Sequence, residues 1–130
     1  SGLQRRKNAV NMLHDYVEET FESQSNIILL GDWNDDTKDA PGQHSFDAFF
    51  DDNRFHFVTQ EISYDLSQAS YPKEPWVSFL DHILVSNKLV EPGSNYHVQT
   101  IKMGDYMGGY KNYDTYISDH LPVLLSFPKP

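Results

Sequence analysis

Acidic, amide and imidazole side chains lie beside apolar runs at three places in this chain of 130 residues. The five side chains are Asp32, Asn34, Asp81, Asp119 and His120. Carboxylate oxygens bind hard divalent cations and orient water, and an imidazole transfers protons or binds an anion. A set of these groups, gathered at strand ends, has the chemistry needed to activate water for a hydrolytic reaction.

The first group is the motif Gly-Asp-Trp-Asn at 31–34, directly after the apolar run Ile27–Leu30. If strand geometry continues past Leu30, the side chains of Asp32 and Asn34 point the same way. The carboxylate could then orient or deprotonate a water, and the amide could donate to a phosphate oxygen or to the nucleophile. The alternative is a local turn, because Asp and Asn stabilise turns after strands.

The second group is Asp81, which interrupts an apolar run between Phe79 and Val85. A buried carboxylate is costly unless it is paired, so this pattern predicts a partner for Asp81. A histidine is a suitable partner, since the carboxylate fixes its tautomer and raises its pKa. The alternative is a solvent-facing Asp on a half-exposed strand. His82 is predicted to point to the other face, as a structural residue.

The third group is Asp119 and His120, which precede the run Leu121–Phe127. On an extended backbone the two side chains face opposite ways, whereas on a loop both can enter one site. Asp119 offers oxygen ligands suited to Mg²⁺. His120 can act as general acid, as general base or as a cation for phosphate. The alternative is the flank of a strand, with a turn restricted by Pro122.

The elements that position these groups form an α/β pattern. A helix is predicted over 3–22, because Val10, Leu13, Val17 and Phe21 recur at spacings of 3, 4 and 4. Ile27–Leu30 is typical of a strand that is buried on both faces. Ser45 is predicted to cap a short second helix. Further strands are predicted over 55–59, 79–85, 96–101 and 121–127.

Two segments are predicted as loops. The segment 31–43 is acidic, and we expect it to be solvated rather than to bind Ca²⁺, because it lacks the ligand order of an EF-hand. The segment 103–117 is rich in Gly and Tyr. Its tyrosines could stack on the bases of a single strand, or they could simply cover the core.

The composition excludes several classes of protein. The formal charge of −9 argues against a broad basic platform for nucleic acid, although a bound cation changes the field within a site. Cysteine is absent, so disulfides and thiolate metal sites are excluded. No apolar run reaches the ~18 residues that a membrane span needs, so none is predicted.

In combination, the three motifs resemble those of the endonuclease/exonuclease/phosphatase superfamily, the deoxyribonuclease-I-like fold. The motif at 31–34 is similar to its Gly-Asp-x-Asn motif. Residues 80–86 are similar to its Asp-containing strand that ends in Val-Ser, and 118–123 to its Ser-Asp-His-x-Pro-Val motif. The order matches, and the intervals are 47 residues (81 − 34) and 38 residues (119 − 81).

The resemblance covers about residues 4–127 and implies the C-terminal half of a four-layer α/β sandwich. We therefore expect residues 1–130 to form a single C-terminal portion, with one mixed β-sheet and flanking helices. The N-terminal half of the family's fold supplies an Asn, a metal-binding Glu and a second His. The isolated chain is accordingly expected to be incomplete and inactive. It is also expected to expose an apolar face, which the N-terminal half or a second copy of the chain would cover.

The resemblance also implies a role for each candidate residue. Asp32 would align the attacking water, and Asn34 would position the water and the scissile phosphate. Asp119 would bind the metal, which is expected to be Mg²⁺, with Mn²⁺ or Ca²⁺ as alternatives. His120 would bind or protonate a phosphate oxygen, and Asp81 would orient His120. The expected activity is hydrolysis of phosphodiesters, with nucleic acid as the first substrate class. A phosphatase, a lipid phosphodiesterase or a non-catalytic binding fragment are the alternatives.

Overall fold

The computed structural model describes residues 1–129 and has a mixed α/β fold, which confirms the predicted class. Short 3₁₀ turns join the main elements. In chain order these elements are α1 (Gly2–Thr20), β1 (Ile28–Asp32), α2 (Asp47–Phe50), β2 (Phe55–Phe57), β3 (Asp81–Ser86), β4 (His97–Thr100), α3 (Tyr110–Tyr116) and β5 (Val123–Ser126).

The strands form two antiparallel sheets, so the prediction of one mixed sheet is wrong for the described residues. The first sheet has the order β1-β3-β2, and the second pairs β4 with β5. The side chains of β4 and β5 explain the separation. Val98 packs against Val58, Ile83 and Val85, so these strands lie against the first sheet and do not extend its hydrogen-bonded ladder.

Helix α1 is long enough to pack along the first sheet and is fixed there at two levels. Its buried residues are Val10 and Val17, which lie two turns apart on the apolar face of the helix. Near its start, Arg6 makes two hydrogen bonds of 2.9 Å to the carboxylate of Asp35. This ion pair joins the helix to the segment that follows the first motif.

An aromatic cluster forms the core beneath the first motif. Phe46, Phe49 and Phe57 are almost fully buried, and the Trp33 ring lies against all three. The backbone N–H of Trp33 donates to the carbonyl of Leu80 at 2.9 Å, and its indole N–H donates to the carbonyl of His82 at 3.2 Å. Trp33 therefore anchors the first motif on β3, while Asp32, its neighbour, stays exposed.

Strand β1 is not buried on both faces, contrary to the prediction. It lies at the edge of its sheet, and the side chains of Ile28 and Leu30 are 45% and 71% exposed. The reason is that α1 covers only the face on which Leu29 packs into the core. An open groove of about 650 Å³ runs between α1 and β1, lined mainly by apolar side chains.

Three local predictions also differ from the structure. Ser45 does not cap α2, which begins at Asp47 with Phe46 as its cap, and the Ser45 hydroxyl has no hydrogen-bond partner. Asp35 and Asp36 in the acidic segment are buried, because Arg6 and Lys38 pair with them. The segment 103–117 contains a 3₁₀ turn and α3, where a loop was predicted.

None of the helices in residues 1–129 combines the length and the apolar character that a membrane crossing requires.

Candidate functional site

Antiparallel pairing of β1 with β3 brings the first two motifs together. Asp32, the last residue of β1, is the direct cross-strand partner of Asp81, the first residue of β3. Directly paired residues project from the same face of a sheet, with Cβ atoms roughly 5 Å apart. Two carboxylates thus face each other at the end of the ladder, where a nearby positive charge would offset their repulsion.

His120 supplies an ionisable group at this point. Its Nδ1 lies 2.7 Å from Oδ2 of Asp81, so Nδ1–H donates to the carboxylate. Ligand atoms of Asp32, Asp81 and His120 all lie within 4.8 Å of one another. With Nδ1 engaged, Nε2 is the ring nitrogen left for another partner. Asp81 therefore has the histidine partner that its place in an apolar run predicted.

The surrounding carboxylates adjust the protonation of His120. Partial burial favours the neutral imidazole, but the hydrogen bond to Asp81 and the charges of Asp81, Asp32 and Asp119 outweigh it. The pKa of His120 is consequently raised above its ordinary value of 6.5. The cationic form is the form that binds a phosphate oxygen or donates a proton to a leaving oxygen.

Asn34 lies in a turn that follows β1, and the strand does not continue to it. Its φ of 54° is left-handed, and its backbone N–H donates to Oδ1 of Asp32 at 2.8 Å. The side chains of Asp32 and Asn34 are therefore related by an Asx turn and not by strand alternation. Both residues are exposed, and the turn fixes one oxygen of Asp32 while Asn34 stays accessible.

Asp119 lies next to the group formed by Asp32, Asp81 and His120 but is not one of its members. Its side chain is half-buried, and its charge acts on His120 and on Lys73. Its backbone carbonyl accepts a hydrogen bond from the Tyr110 hydroxyl. Asp119 and His120 lie between α3 and β5, outside any strand. Of the two conformations that the sequence allowed, extended strand or loop, the loop is the one observed.

Ser70 connects the second and third motifs, and sequence reasoning missed it. It is fully buried, and its hydroxyl oxygen accepts from the backbone N–H groups of Leu80 at 2.9 Å and Asp81 at 3.1 Å. Its carbonyl accepts from the N–H of Leu121 at 2.7 Å. One residue therefore ties the start of β3 to the residue after His120. No spacing rule marks an isolated Ser, so the sequence held no signal for this role.

Three tyrosines lie against His120 or bind the backbone beside it. The Tyr71 ring lies 5.2 Å from the imidazole, centroid to centroid. The hydroxyls of Tyr110 and Tyr113 donate to the backbone carbonyls of Asp119 and His120. Burial and nearby acidic groups raise the pKa of Tyr110 to about 12, so its phenol remains a donor at neutral pH. The concentration of Tyr in 103–117 was the sequence signal for Tyr110 and Tyr113.

His82 belongs to the scaffold. Its ring is buried, with Nδ1 2.9 Å from the Thr59 hydroxyl and Nε2 2.9 Å from the carbonyl of Asp35. Burial lowers its pKa, so the neutral imidazole is favoured. Its side chain thus joins β3 to the segment after the first motif, while the neighbouring Asp81 faces the candidate site.

A second group of possible metal ligands, His14, Glu18 and Asp52, is already neutralised from within the chain. Nε2 of His14 lies 2.8 Å from Asp52, and the Arg54 guanidinium contacts both carboxylates. These hydrogen bonds, with that from Arg54 the strongest, lower the pKa of Asp52. An arginine in this place disfavours a metal ion, so the group is an ion-pair network that fastens α1.

The group around Asp32 differs from this network, because no ion pair within residues 1–129 joins Asp32 or Asp81 to an arginine or a lysine. Two carboxylates and a nearby third, Asp119, offer the hard oxygen ligands that Mg²⁺ and Mn²⁺ prefer. The facing carboxylates of Asp32 and Asp81 add a physical reason for a cation to bind there. The residues therefore fit a divalent cation held mainly by carboxylate oxygens.

Comparisons of the chain with protein-family models, with curated proteins and with solved structures found no match.

Proposed function

We propose that this protein hydrolyses phosphodiester bonds in nucleic acid with the help of a divalent cation. The main support is the convergence of Asp32, Asp81 and His120, whose ligand atoms lie within 4.8 Å of one another. These residues come one each from the three sequence motifs that resemble those of the endonuclease/exonuclease/phosphatase superfamily. A purely structural ion pair would need only Asp81 and His120.

Each residue has a role that follows from its surroundings. His120, oriented through Nδ1 by Asp81, presents Nε2 to a non-bridging or leaving oxygen of the phosphate. Asp32 aligns the attacking water through the carboxylate oxygen that the turn does not use. Asn34, exposed beside it, donates from its amide to the phosphate. Together these groups supply the nucleophile, the proton and part of the charge stabilisation.

The cation would be held by the carboxylates of Asp119 and Asp32, and Mg²⁺ is the ion that we propose, with Mn²⁺ or Ca²⁺ as substitutes. When bound, it supplies positive charge at the phosphate oxygens and lowers the pKa of a bound water. A chain with a net charge of −9 needs such a charge to attract a polyanion.

Nucleic acid is the proposed substrate class because exposed aromatic rings occur in the segments around the site. Tyr106 lies on the 3₁₀ turn before α3, and Tyr116 is the last residue of α3. Trp76 lies on the loop that Lys73 links to Asp114 of α3. Bases stack on such rings at a gain of roughly 1–3 kcal/mol each. A phosphatase or a lipid phosphodiesterase would not require these rings.

We further propose that the described residues are half of a four-layer sandwich. The exposed side chains of Ile28 and Leu30 on the edge strand support this, because such a face is normally covered. The other half of the sandwich would cover it, and a second copy of the chain would do so when that half is absent.

The test is an activity assay on the full-length protein and on this chain, with Mg²⁺ and with EDTA. Single-stranded DNA, duplex DNA and bis-p-nitrophenyl phosphate separate nucleases from general phosphodiesterases. We expect the full-length protein to cleave single-stranded DNA only with metal. We expect His120→Gln and Asp119→Ala to lower kcat by at least about 100-fold, as removal of a key transition-state contact does.

The matched control is His97→Gln, which alters an exposed histidine on β4. This variant should retain the activity of the unsubstituted protein. Turnover that EDTA does not abolish, or no turnover by the full-length protein on any of the three substrates, would contradict the proposal. Cleavage of the nitrophenyl ester but of neither DNA would refute nucleic acid as the substrate class.

A further inference from the structure

The Tyr-rich segment 103–117 contains two kinds of tyrosine. Tyr106 and Tyr116 are largely exposed, at 82% and 74%, and suit a surface that contacts substrate. Tyr113 is only 4% exposed, and Tyr110 is half-buried. The two inward-facing tyrosines are three residues apart on α3, so they share one face of the helix.

The hydroxyls of this inward pair bind two consecutive carbonyls of the third motif. Tyr110 Oη donates to the carbonyl of Asp119 at 2.8 Å, and Tyr113 Oη donates to the carbonyl of His120 at 3.0 Å. The same stretch of backbone is also held on its N–H side. There, His120 N–H donates to the Ser118 hydroxyl at 3.0 Å, and Leu121 N–H donates to the carbonyl of Ser70.

The placement of α3 is itself constrained by close packing. A Cβ on Gly104 would come within 2.7 Å of the backbone N of Tyr110, so no larger residue fits there. The chain then enters α3 through Gly109, whose φ of 121° disfavours other residues. Lys73 reaches across to Asp114 at 3.3 Å and links α3 to the loop that follows Tyr71. The helix is thus fixed on several sides relative to His120.

We propose that Tyr110 and Tyr113 are positioning residues for the proposed phosphodiesterase site. Their hydroxyls hold the backbone of Asp119 and His120, so that the imidazole meets Asp81 and the Asp119 carboxylate would be available to hold a cation. The inference rests on the proposed function, and it assigns to these two tyrosines a role other than stacking on a base. Base stacking is left to the exposed tyrosines of the same segment.

The test uses Tyr110→Phe, Tyr113→Phe and the double variant, which remove the hydroxyls and keep the rings that pack. Tyr116→Phe is the matched control, since it removes an exposed hydroxyl from the same helix. Circular dichroism should show that all four variants are folded. Proton NMR of the metal-free protein then reports on the Nδ1–H of His120, which resonates far downfield when it is bonded to a carboxylate. His120→Gln assigns the signal.

We expect this proton to exchange with water roughly fivefold faster for each hydroxyl removed, which is the usual net effect of one hydrogen bond. Tyr116→Phe should leave the exchange rate unchanged. In the active full-length protein, kcat should fall by about tenfold in the double variant, because small displacements of reacting groups are costly. KM should change by less than about twofold, whereas loss of a stacking residue would mainly raise KM.

The outcomes separate this inference from the proposed function. If the full-length protein has no metal-dependent turnover, the proposed function fails, and the exchange rate of the His120 proton still decides whether the tyrosines position the ring. Unchanged exchange in both single variants and in the double variant would overturn the inference. A rise in KM at constant kcat would overturn it in favour of stacking. Absence of the resonance from the unsubstituted protein would refute the pairing with Asp81 on which the inference depends.

Discussion

Asp32 and Asp81 occupy paired positions at the end of the β1–β3 ladder, so their carboxylates project from the same face. Like charges that lie directly opposite each other destabilise a sheet. His120 offsets part of this repulsion when it is protonated, through its hydrogen bond to Asp81. Some repulsion between the two carboxylates therefore remains. A bound cation, alone or together with a phosphate, would reduce it.

We expect Asp32→Asn to stabilise the metal-free protein. The change removes one of two facing charges and keeps an oxygen that can accept from the N–H of Asn34. The gain in the free energy of unfolding should be roughly 0.5 kcal/mol, typical of a cross-strand charge pair. Urea unfolding in EDTA at alkaline pH measures it, since less of His120 is then protonated.

The control for this change is Asp15→Asn, which removes an exposed carboxylate from α1. Added Mg²⁺ should raise the melting temperature of the unsubstituted protein and of the control, but not that of Asp32→Asn. Equal stability of the two variants would show that Asp32 experiences no repulsion. An equal response of the two variants to Mg²⁺ would show that Asp32 holds no metal.

The Asp81–His120 pair should make stability depend on pH in one direction. Because the folded-state pKa of His120 is raised, the contribution is fully present below about pH 6.5, the unfolded value. It is lost as the pH rises through the folded-state pKa. The difference in unfolding free energy between the unsubstituted protein and Asp81→Asn should accordingly shrink from pH 6 to pH 9. Urea titrations across this range in EDTA test the expectation, and a difference that grows with pH would contradict it.

Arg6 and Arg5 offer a matched pair of substitutions on α1. Arg6 makes the two hydrogen bonds to the buried carboxylate of Asp35, whereas Arg5 is exposed. We expect Arg6→Gln to cost about 2 kcal/mol in unfolding free energy, because Asp35 would remain buried without its charged partner. Arg5→Gln should change it by less than ~0.5 kcal/mol. Similar values for the two variants would show that this ion pair does not fasten α1.

The exposed face of β1 should drive self-association of the isolated chain. Leu30 is 71% exposed on an edge strand, where the unpaired backbone can also accept another strand. We expect sedimentation velocity to show dimers or larger species at micromolar concentrations. Leu30→Lys should shift the population to monomer, since a charge on an edge strand opposes pairing.

The matched control for Leu30→Lys is Leu66→Lys, at a leucine that is 67% exposed on a 3₁₀ turn away from β1. It should leave the association unchanged. The prediction would be contradicted if the unsubstituted chain were monomeric, or if both lysine substitutions changed the association equally. Either result would mean that the exposed face of β1 does not drive self-association.

The amino-acid sequence by itself determined the class of the fold, the helix at the start of the chain, the approximate position of every strand and the five candidate residues. Each of these follows from local patterns, such as the stripe of Val10 and Val17 or the apolar runs beside each motif. The pairing of Asp81 with a histidine was also predictable, because a carboxylate in an apolar run needs a partner.

Tertiary structure alone decided which of these residues meet. The Asp32–Asp81 register depends on how β1 and β3 pair, and residues 49 positions apart (81 − 32) carry no local signal of that register. The burial of Asp35 depends on its pairing with Arg6 from another element. Leu30 is exposed because no element of the described structure packs over its face of β1. Helix α3 was missed because two glycines and its tyrosines weaken the helical pattern. Tyr110 and Tyr113 face inward because their hydroxyls bind the carbonyls of Asp119 and His120. Only the tertiary structure brings these groups within hydrogen-bond distance.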